Sequence, residues 1–327
     1  MLLHSAYTEL ILNYANSGCL AGGPLVKMAA LYIYPERFTM QLAVDKQHTL
    51  GECVLWCERT GRLLWTDIPA STLWRLDPIS GVVESWAMPE RLACFALTGD
   101  SNRLLLGLAS GLAFYRLDNA ELQPICQVEE ALPTTRLNDG RCDRQGRFVF
   151  GMFNQHSDPR EAIGSFYRLH ADLRLERLPL PAAAIANSIC FSLDGATMYF
   201  CDSQEKIIYR CDYGDVLGEP QVFADLRGHV GEPDGSTIDS EGYLWNAFWG
   251  EGRLIRFTPE GLVERTVHLA APQPTCVAFG GPELSTVYVS SATMGLSPAV
   301  LRDYPGSGGI FSQQGEIAGV AEERFAG

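Results

Sequence analysis

The chain has 327 residues, a hydrophobic content of 46%, a charged content of 20% and a formal net charge of −14. These values are typical of a soluble globular protein with a substantial core. The acidic balance argues against a nucleic-acid partner because no basic stripe is present to neutralise phosphates. No apolar run reaches the roughly 18 residues that a membrane helix needs, so no membrane partner is expected either.

The first 36 residues differ from the rest of the chain. They contain one Lys and no Arg, so they lack the basic start of a secretory signal peptide. We expect residues 1–36 to be a disordered extension or a mis-assigned start, with Met28 or Met40 as the alternative first residue. Residues 37–327 are predicted to form one domain.

The ten cysteines contain no Cys-x-x-Cys pair, and most lie inside apolar runs that resemble strands, as Cys94, Cys190 and Cys276 do. Free cysteine is among the most buried residue types and packs as a small hydrophobic side chain. The pattern therefore predicts reduced core thiols in a cytoplasmic protein rather than a disulfide framework.

A unit of strands and turns repeats six times along the chain. Each unit has an alternating run, a turn centred on Gly or Asn, a second strand and a third strand. The first strands of the six units begin at Glu52, Ala93, Asn138, Asn187, Asp234 and Thr275. A period of roughly 40 to 50 residues with several strands per unit is the signature of a β-propeller blade. The sequence therefore predicts an all-β, six-bladed propeller with a central channel, and an outer strand for the last blade from residues 38–45.

The innermost strand of each propeller blade lines the channel, so we expect Glu52, Asn138, Asn187 and Asp234 to be in register and to face one mouth. Asn and Asp before Gly are also ordinary turn residues, but Glu is not a turn former. Two carboxylates and two amides are unfavourable together unless a cation compensates them. Oxygen ligands of this kind suit a hard or borderline divalent metal. No Gly-x-Ser-x-Gly elbow or His-Glu-x-x-His motif competes with this interpretation.

Several ordered motifs carry a resemblance to a known family. They are Gly51-Glu52 before a strand, Arg-Leu-Asn-Asp-Gly at 136–140, Asn187, Pro-Asp-Gly at 233–235, and Cys-Val-Ala-Phe-Gly-Gly at 276–281. With these motifs, residues 41–327 resemble the gluconolactonase/regucalcin (senescence-marker protein) family. Within it, the chain looks most similar to bacterial pentono- and hexonolactonases of sugar-oxidation pathways, particularly arabinolactonase-like sequences.

The resemblance implies one divalent metal at the mouth of the channel. Glu52, Asn187 and Asp234 match the metal ligands of the family, and Asp234 also matches the proposed general base. Arg136 and Asn138 match residues that contact the substrate or the attacking water.

One segment departs from the family pattern. Some relatives have acidic residues where this chain has Gly-Met-Phe-Asn-Gln-His at 151–156. We therefore expect a substrate contact there to pass to Asn154 or His156, and we include His156 among the substrate-binding residues.

The function that the resemblance implies is hydrolysis of a sugar lactone to the aldonic acid. The expected substrate is L-arabinono-1,4-lactone or a related lactone such as galactonolactone or gluconolactone, and the metal is Ca, Zn, Mn, Mg or Fe. A monomer or weak homodimer is expected. Because fold does not fix function, three alternatives stay open: a calcium-binding regulatory propeller without turnover, an esterase or phosphotriesterase, and a protein-interaction propeller.

Overall fold

The computed structural model describes residues 40–156 and 159–327, which belong to one compact unit. The predicted extension over residues 1–36 lies outside the described residues. The strands of the first half are β1 (Gln41–Val44), β2 (Gly51–Cys57), β3 (Arg62–Asp67), β4 (Thr72–Leu76), β5 (Val83–Ala87), β6 (Leu92–Leu97), β7 (Arg103–Leu108), β8 (Gly111–Arg116), β9 (Leu122–Gln127), β10 (Thr135–Cys142), β11 (Phe148–Asn154), β12 (Phe166–Leu169) and β13 (Leu175–Arg177).

The second half continues the pattern, with two short helices inserted between strands. Its elements are β14 (Ala186–Phe191), β15 (Thr197–Asp202), a 3-10 helix (Ser203–Glu205), β16 (Ile207–Asp212), β17 (Gln221–Asp225), β18 (Glu232–Ile238), β19 (Leu244–Trp249), β20 (Arg253–Phe257), β21 (Val263–His268), β22 (Pro274–Gly280), β23 (Thr286–Ser291), α1 (Pro298–Asp303) and β24 (Ile310–Gln314). Within the described ranges, no helix is long and apolar enough to cross a membrane.

The strands of the described chain form six antiparallel sheets of four strands each. Five sheets use consecutive strands, from β2–β5 to β18–β21, and the sixth has the order β1-β24-β23-β22. The inner strands β2, β6, β10, β14, β18 and β22 each contact the next, and β22 contacts β2 to close a ring. The six-bladed propeller predicted from the repeat is confirmed.

The ring closes because the last blade takes its outer strand from the start of the described chain. Strand β1 pairs antiparallel with β24, with Leu42 opposite Phe311. Residues 38–45 were predicted to supply this strand, and the pairing over Gln41–Val44 confirms it. Closure of this kind covers the sheet edge that the last blade would otherwise expose.

Two of the hairpins that join the first and second strands of a blade have the same type of turn. Gly146 and Gly242 adopt φ values of 75° and 82°, a left-handed region that Gly enters without steric cost. Three residues earlier, Asp143 and Asp239 accept the glycine N–H on their main-chain oxygens at 3.0 Å. Their carboxylates accept two further backbone N–H groups in each turn. The Asp-x-x-Gly spacing therefore fixes where these two inner hairpins turn.

The core lies between neighbouring sheets and contains large apolar side chains from every blade. Its largest fully buried apolar members include Trp65, Phe95, Phe148, Phe150, Phe166, Phe248, Phe257, Phe311 and Phe325. The nine cysteines of the described residues are all free thiols, and all but Cys126 are buried. The prediction of reduced core cysteines is confirmed for the eight buried ones.

A C-terminal segment, residues 319–327, crosses the mouth of the channel where the inner hairpins turn. Glu322 forms an ion pair with Arg141 of β10 at 2.5 Å. Phe325 donates its backbone N–H to the carbonyl of Leu97 at 2.8 Å. Its ring is 2% exposed and lies 6.0 Å from that of Phe114. The segment thus ties separate blades together at the end of the channel opposite to the polar residues described next.

Candidate active site and metal centre

The predicted site residues lie where the inner strands begin. Glu52 and Arg136 are the second residues of β2 and β10, Asn187 is the second of β14, and Asp234 is the third of β18. Because every blade has its inner strand in the same place, all these strand starts share one mouth of the channel. The structure brings the residues together as expected.

The predicted register of the four polar residues is wrong by one residue. Glu52 and Asn187 pair with Thr66 and Cys201 and stand immediately before a β-bulge. Asn138 and Asp234 lie inside the corresponding bulges of β10 and β18. A bulge inserts an extra residue into one strand and redirects its side chains, so residues at non-equivalent positions reach the same mouth.

Two of the bulges contain a strained residue next to a predicted ligand. Cys53 follows Glu52 with φ 48°, and Ser188 follows Asn187 with φ 60°. Residues with a Cβ rarely adopt this left-handed backbone conformation, and such strain is concentrated at functional sites. The two positions explain why each ligand is turned away from the regular pleat of its strand.

The amide of Asn187 is held in one orientation by both of its ends. Its Nδ2 donates to Oγ of Ser203 at 2.9 Å, and its Oδ1 accepts from Nδ2 of Asn138 at 2.9 Å. Ser203 in turn donates to the carbonyl oxygen of Pro233 at 2.7 Å. The amide oxygen, the atom that can bind a cation, therefore faces Asn138, and Ser203 and Asn138 together fix the orientation of the amide.

Asp234 is anchored through its backbone, which leaves its carboxylate uncommitted to neighbouring cations. Its carbonyl oxygen accepts from Oγ of Ser188 at 2.6 Å and from Nδ2 of Asn246 at 2.8 Å. The residue is 7% exposed, and its side chain forms no ion pair among the described residues. A buried carboxylate of this kind needs charge compensation from elsewhere.

A third carboxylate belongs to the site and was missed by the sequence analysis. Asp139 accepts the backbone N–H of Ile189 on Oδ2 at 2.8 Å, which links β10 to β14. Its charge acts on both Glu52 and Asp234. In the sequence Asp139 lies in Asn-Asp-Gly, a pattern typical of ordinary turns. The sequence feature that could have identified Asp139 was its position directly after Asn138, a predicted site residue.

The carboxylates carry a clear electrostatic penalty. Burial, followed by the neighbouring charge of Asp139, raises the pKa of Glu52 to about 8. Burial, followed by the charges of Glu52 and Asp139, raises the pKa of Asp234 well above its usual range. Both shifts arise because negative charges converge in a poorly solvated place.

The residues fit a divalent cation. In the part of the chain that the structure describes, Glu52 forms no ion pair, and its carboxylate accepts a hydrogen bond from the N–H of Cys53 at 3.2 Å. Two carboxylates and one amide oxygen form a hard donor set that matches Ca²⁺, Mg²⁺ or Mn²⁺ and also admits borderline metals. The described residues contain no group of three or more His, Cys, Asp or Glu arranged to hold a metal, and the predicted set has an amide as its third member.

Arg136 and Asn138 form a pair beside these residues. Nη1 of Arg136 donates to Oδ1 of Asn138 and to the carbonyl of Leu137, each at 2.7 Å. Burial, together with the charge of Arg91, lowers the pKa of Arg136 to about 10, so the guanidinium stays protonated at neutral pH. Its remaining N–H groups form no hydrogen bond among the described residues. The pair is placed to meet an oxygen-rich molecule at the mouth.

The structure separates the two candidates of the 151–156 segment. Asn154 is 3% exposed; its Nδ2 donates to the carbonyl of Glu161, and its Oδ1 accepts the N–H of His156. Its amide is therefore occupied in shaping the connection between β11 and β12. His156 is exposed in that connection, at the same mouth, and its contact with substrate stays a prediction.

Comparison with known proteins gives a consistent result. The family model of the SMP-30/Gluconolactonase/LRE-like region matches residues 50–293. L-arabinolactonase of Azospirillum brasilense is 50% identical over 288 residues, which cover 88% of this chain and 95% of that protein. 6-deoxy-6-sulfogluconolactonase of Pseudomonas putida is 35% identical over 294 residues, with coverages of 88% and 99%. The crystal structure of regucalcin, a calcium-binding protein from Agrobacterium tumefaciens strain C58, has a TM-score of 0.84 at 29% identity and coverages of 88% and 98%.

Proposed function

The chain belongs to the SMP-30/gluconolactonase/LRE-like family, and from that membership we propose that it is a sugar lactonase, which hydrolyses an aldonolactone to the aldonic acid. The preferred substrate is L-arabinono-1,4-lactone or a related pentono- or hexonolactone such as galactonolactone or gluconolactone. The observation that carries the proposal is the convergence of Glu52, Asn187 and Asp234 with Arg136 and Asn138 at one mouth. The similarity to L-arabinolactonase supports the choice of sugar.

A single divalent cation is part of the proposal, with Glu52, Asn187 and Asp234 as its ligands. Calcium is supported by the similarity to a calcium-binding regucalcin, and Zn, Mn, Mg and Fe are the other candidates. When bound, such a cation supplies Lewis-acid polarisation of an ester carbonyl and promotes the ionisation of water.

The protein side chains then have separate roles. Asp234, ionised when the cation is bound, accepts the proton of the attacking water on a carboxylate oxygen. The guanidinium of Arg136 and the amide of Asn138 orient the sugar hydroxyls and stabilise negative charge that develops on the carbonyl oxygen. His156, at the rim, contacts the far end of the sugar.

The partner of this site is therefore a small sugar lactone. A cytoplasmic location and a monomeric or weakly dimeric state complete the proposal. The nine free thiols of the described residues support a reducing compartment.

A second candidate function is calcium binding without turnover, as a regulatory propeller. The observation in its favour is the TM-score of 0.84 with regucalcin. The two functions share the metal site, and only turnover separates them.

The test is hydrolysis of arabinono-, xylono-, galactono- and gluconolactones, followed with a pH indicator and corrected for spontaneous hydrolysis. Metal-free protein, protein with each divalent metal and the Asp234→Asn variant are compared. We expect metal-dependent acid release that Asp234→Asn lowers by at least about a hundredfold. Stoichiometric metal binding without turnover of any lactone would instead support the regulatory function.

A further inference from the structure

Three arginine side chains lie near one another beside the proposed active site. Arg91 lies in the connection from β5 to β6, Arg136 lies on β10, and Arg160 lies in the connection from β11 to β12. Both connections lie at the mouth where the inner strands begin. Within the described residues, none of the three forms an ion pair. On a chain of net charge −14, such a group is unusual and needs an explanation.

The side chains of Arg136 and Arg160 both lie over one aromatic ring, that of Phe153. The guanidinium carbons of Arg136 and Arg160 lie 4.3 Å and 5.0 Å from the centre of the Phe153 ring. Arg91 is held nearby by a hydrogen bond from Nη1 to Oε1 of Gln155. The charges of Arg91 and Arg160 both act against that of Arg136, while the carboxyl of Glu52 acts in its favour. Like charges near one another repel, so an added anion would make the arrangement more favourable.

The side chain of Arg160 has N–H donors that no described residue accepts. Its side chain donates no hydrogen bond to the described residues, and its Nε is buried without a partner. A buried unpaired donor is costly. Its backbone is nevertheless held firmly, since its N–H donates to Oε1 of Gln204 at 2.8 Å and its carbonyl accepts from Nε2 of the same residue at 2.9 Å. The guanidinium of Arg160, which lies over the Phe153 ring and has donors that no described residue accepts, is available to bind a ligand.

We propose that Arg91, Arg136 and Arg160 form an anion-binding subsite, which binds the oxygens of a carboxylate, sulfonate or phosphate group. A planar guanidinium presents paired N–H groups that match such oxyanions, and the three arginines lie on segments at the same mouth. Assignment of the anion to a sugar acid rests on the proposed lactonase function. The anion has two possible sources, the carboxylate of the aldonate product and an anionic substituent on the lactone itself.

The subsite can be tested by binding, without turnover. Sodium sulfate and sodium L-arabinonate are titrated into the full-length protein by calorimetry, at ionic strength held constant with chloride. The titrations use metal-loaded protein and protein in EDTA. Binding that persists in EDTA does not depend on the metal.

We expect the wild-type protein to bind one anion, and Arg91→Gln and Arg160→Gln each to weaken it on the order of tenfold, because each removes a charge-assisted pair. Arg160→Lys keeps the charge but loses the paired donors, and an intermediate affinity is expected. The matched control is Arg177→Gln, which changes an exposed arginine of the outer strand β13. Equal anion affinity in wild type and both Gln variants, or no binding to wild type, would overturn the proposal.

The source of the anion follows from a pair of substrates. The values of kcat/KM are compared for gluconolactone and for the same lactone with a 6-phosphate. A preference for the charged lactone that disappears in Arg160→Gln assigns the subsite to a substituent of the substrate. Equal values for both lactones, with arabinonate binding weakened in Arg160→Gln, assign it to the carboxylate of the product. If no lactone is turned over but the anion binds, the subsite stands and the lactonase function fails.

Discussion

Nδ2 of Asn187 donates a hydrogen bond to Oγ of Ser203 at 2.9 Å, and this contact fixes the orientation of the amide together with the hydrogen bond from Asn138. Ser203 lies in the 3-10 helix after β15, so a residue outside the inner strand orients a ligand on it. Hydrogen bonds behind a metal ligand commonly tune its affinity. The contact leads to the first prediction.

Ser203→Ala should weaken divalent metal binding by roughly tenfold, because the Asn187 amide loses the acceptor that fixes its orientation. The measurement is calorimetric titration of EDTA-treated protein with Ca²⁺ and Mn²⁺. Ser85→Ala, on the exposed outer strand β5, is the matched control. An unchanged metal affinity in Ser203→Ala would show that Asn138 alone orients Asn187.

Asp139→Asn should stabilise the metal-free protein by on the order of 1 kcal/mol, because burial disfavours the ionised form of Asp139 and raises its pKa, and the neutral amide removes that cost. An asparagine oxygen can still accept the N–H of Ile189, so the link to β14 is kept. The same variant should bind divalent metal more weakly. Thermal unfolding in EDTA and metal titration measure the two effects, and a lower Tm in EDTA would contradict the first.

Ser188 allows backbone strain to be separated from a hydrogen bond. Ser188→Ala keeps a Cβ at φ 60° and loses the donor to the Asp234 carbonyl, so we expect a loss of about 1 to 3 kcal/mol. Ser188→Gly loses the same donor but relieves about 1 kcal/mol of strain. Chemical denaturation of the pair should therefore rank wild type first, Gly second and Ala third. An Ala variant at least as stable as Gly would exclude strain at this position.

The metal-free protein should lose stability as the pH rises from about 5 to 8. The pKa of Glu52 is raised from 4.5 to about 8 in the folded state, so between these values folding takes up a proton. The free energy of unfolding then falls with pH, on the order of 1 kcal/mol per pH unit. Asp234, whose pKa is also raised, adds to the same trend.

Unfolding in EDTA across this pH range measures the slope. Saturating metal should remove most of it, since the cation keeps the ligands ionised. Glu52→Gln should also reduce it in EDTA. A stability that increases with pH in EDTA would contradict the assigned shifts.

Phe325→Ala should destabilise the protein by about 3 to 5 kcal/mol, because it empties a fully buried aromatic position in the C-terminal segment. Metal affinity should stay unchanged, since the segment lies at the opposite mouth. Val216→Ala, at a side chain 86% exposed, is the control. A large loss of metal affinity in Phe325→Ala, measured below its Tm, would show that the two mouths are coupled.

The sequence by itself determined the propeller. Six repeats of alternating strands, with Asp and Gly at fixed spacing in two of their hairpins, specify local structure that leads to one closed ring. The repeat also indicated where Glu52, Asn187 and Asp234 belong, because polar residues at the starts of inner strands share a mouth. That part of the site could be predicted, since it follows from position within a repeating unit.

The remaining part of the site was decided by the tertiary structure. Asp139 and Ser203 act on ligands from other strands, and Arg160 meets Arg136 across a ring, Phe153, to which neither is adjacent in sequence. The bulges also changed the register by one residue, which no alternating pattern reveals. Contacts of this kind depend on how blades pack side by side, and physical proximity between distant residues is set only when the ring has closed.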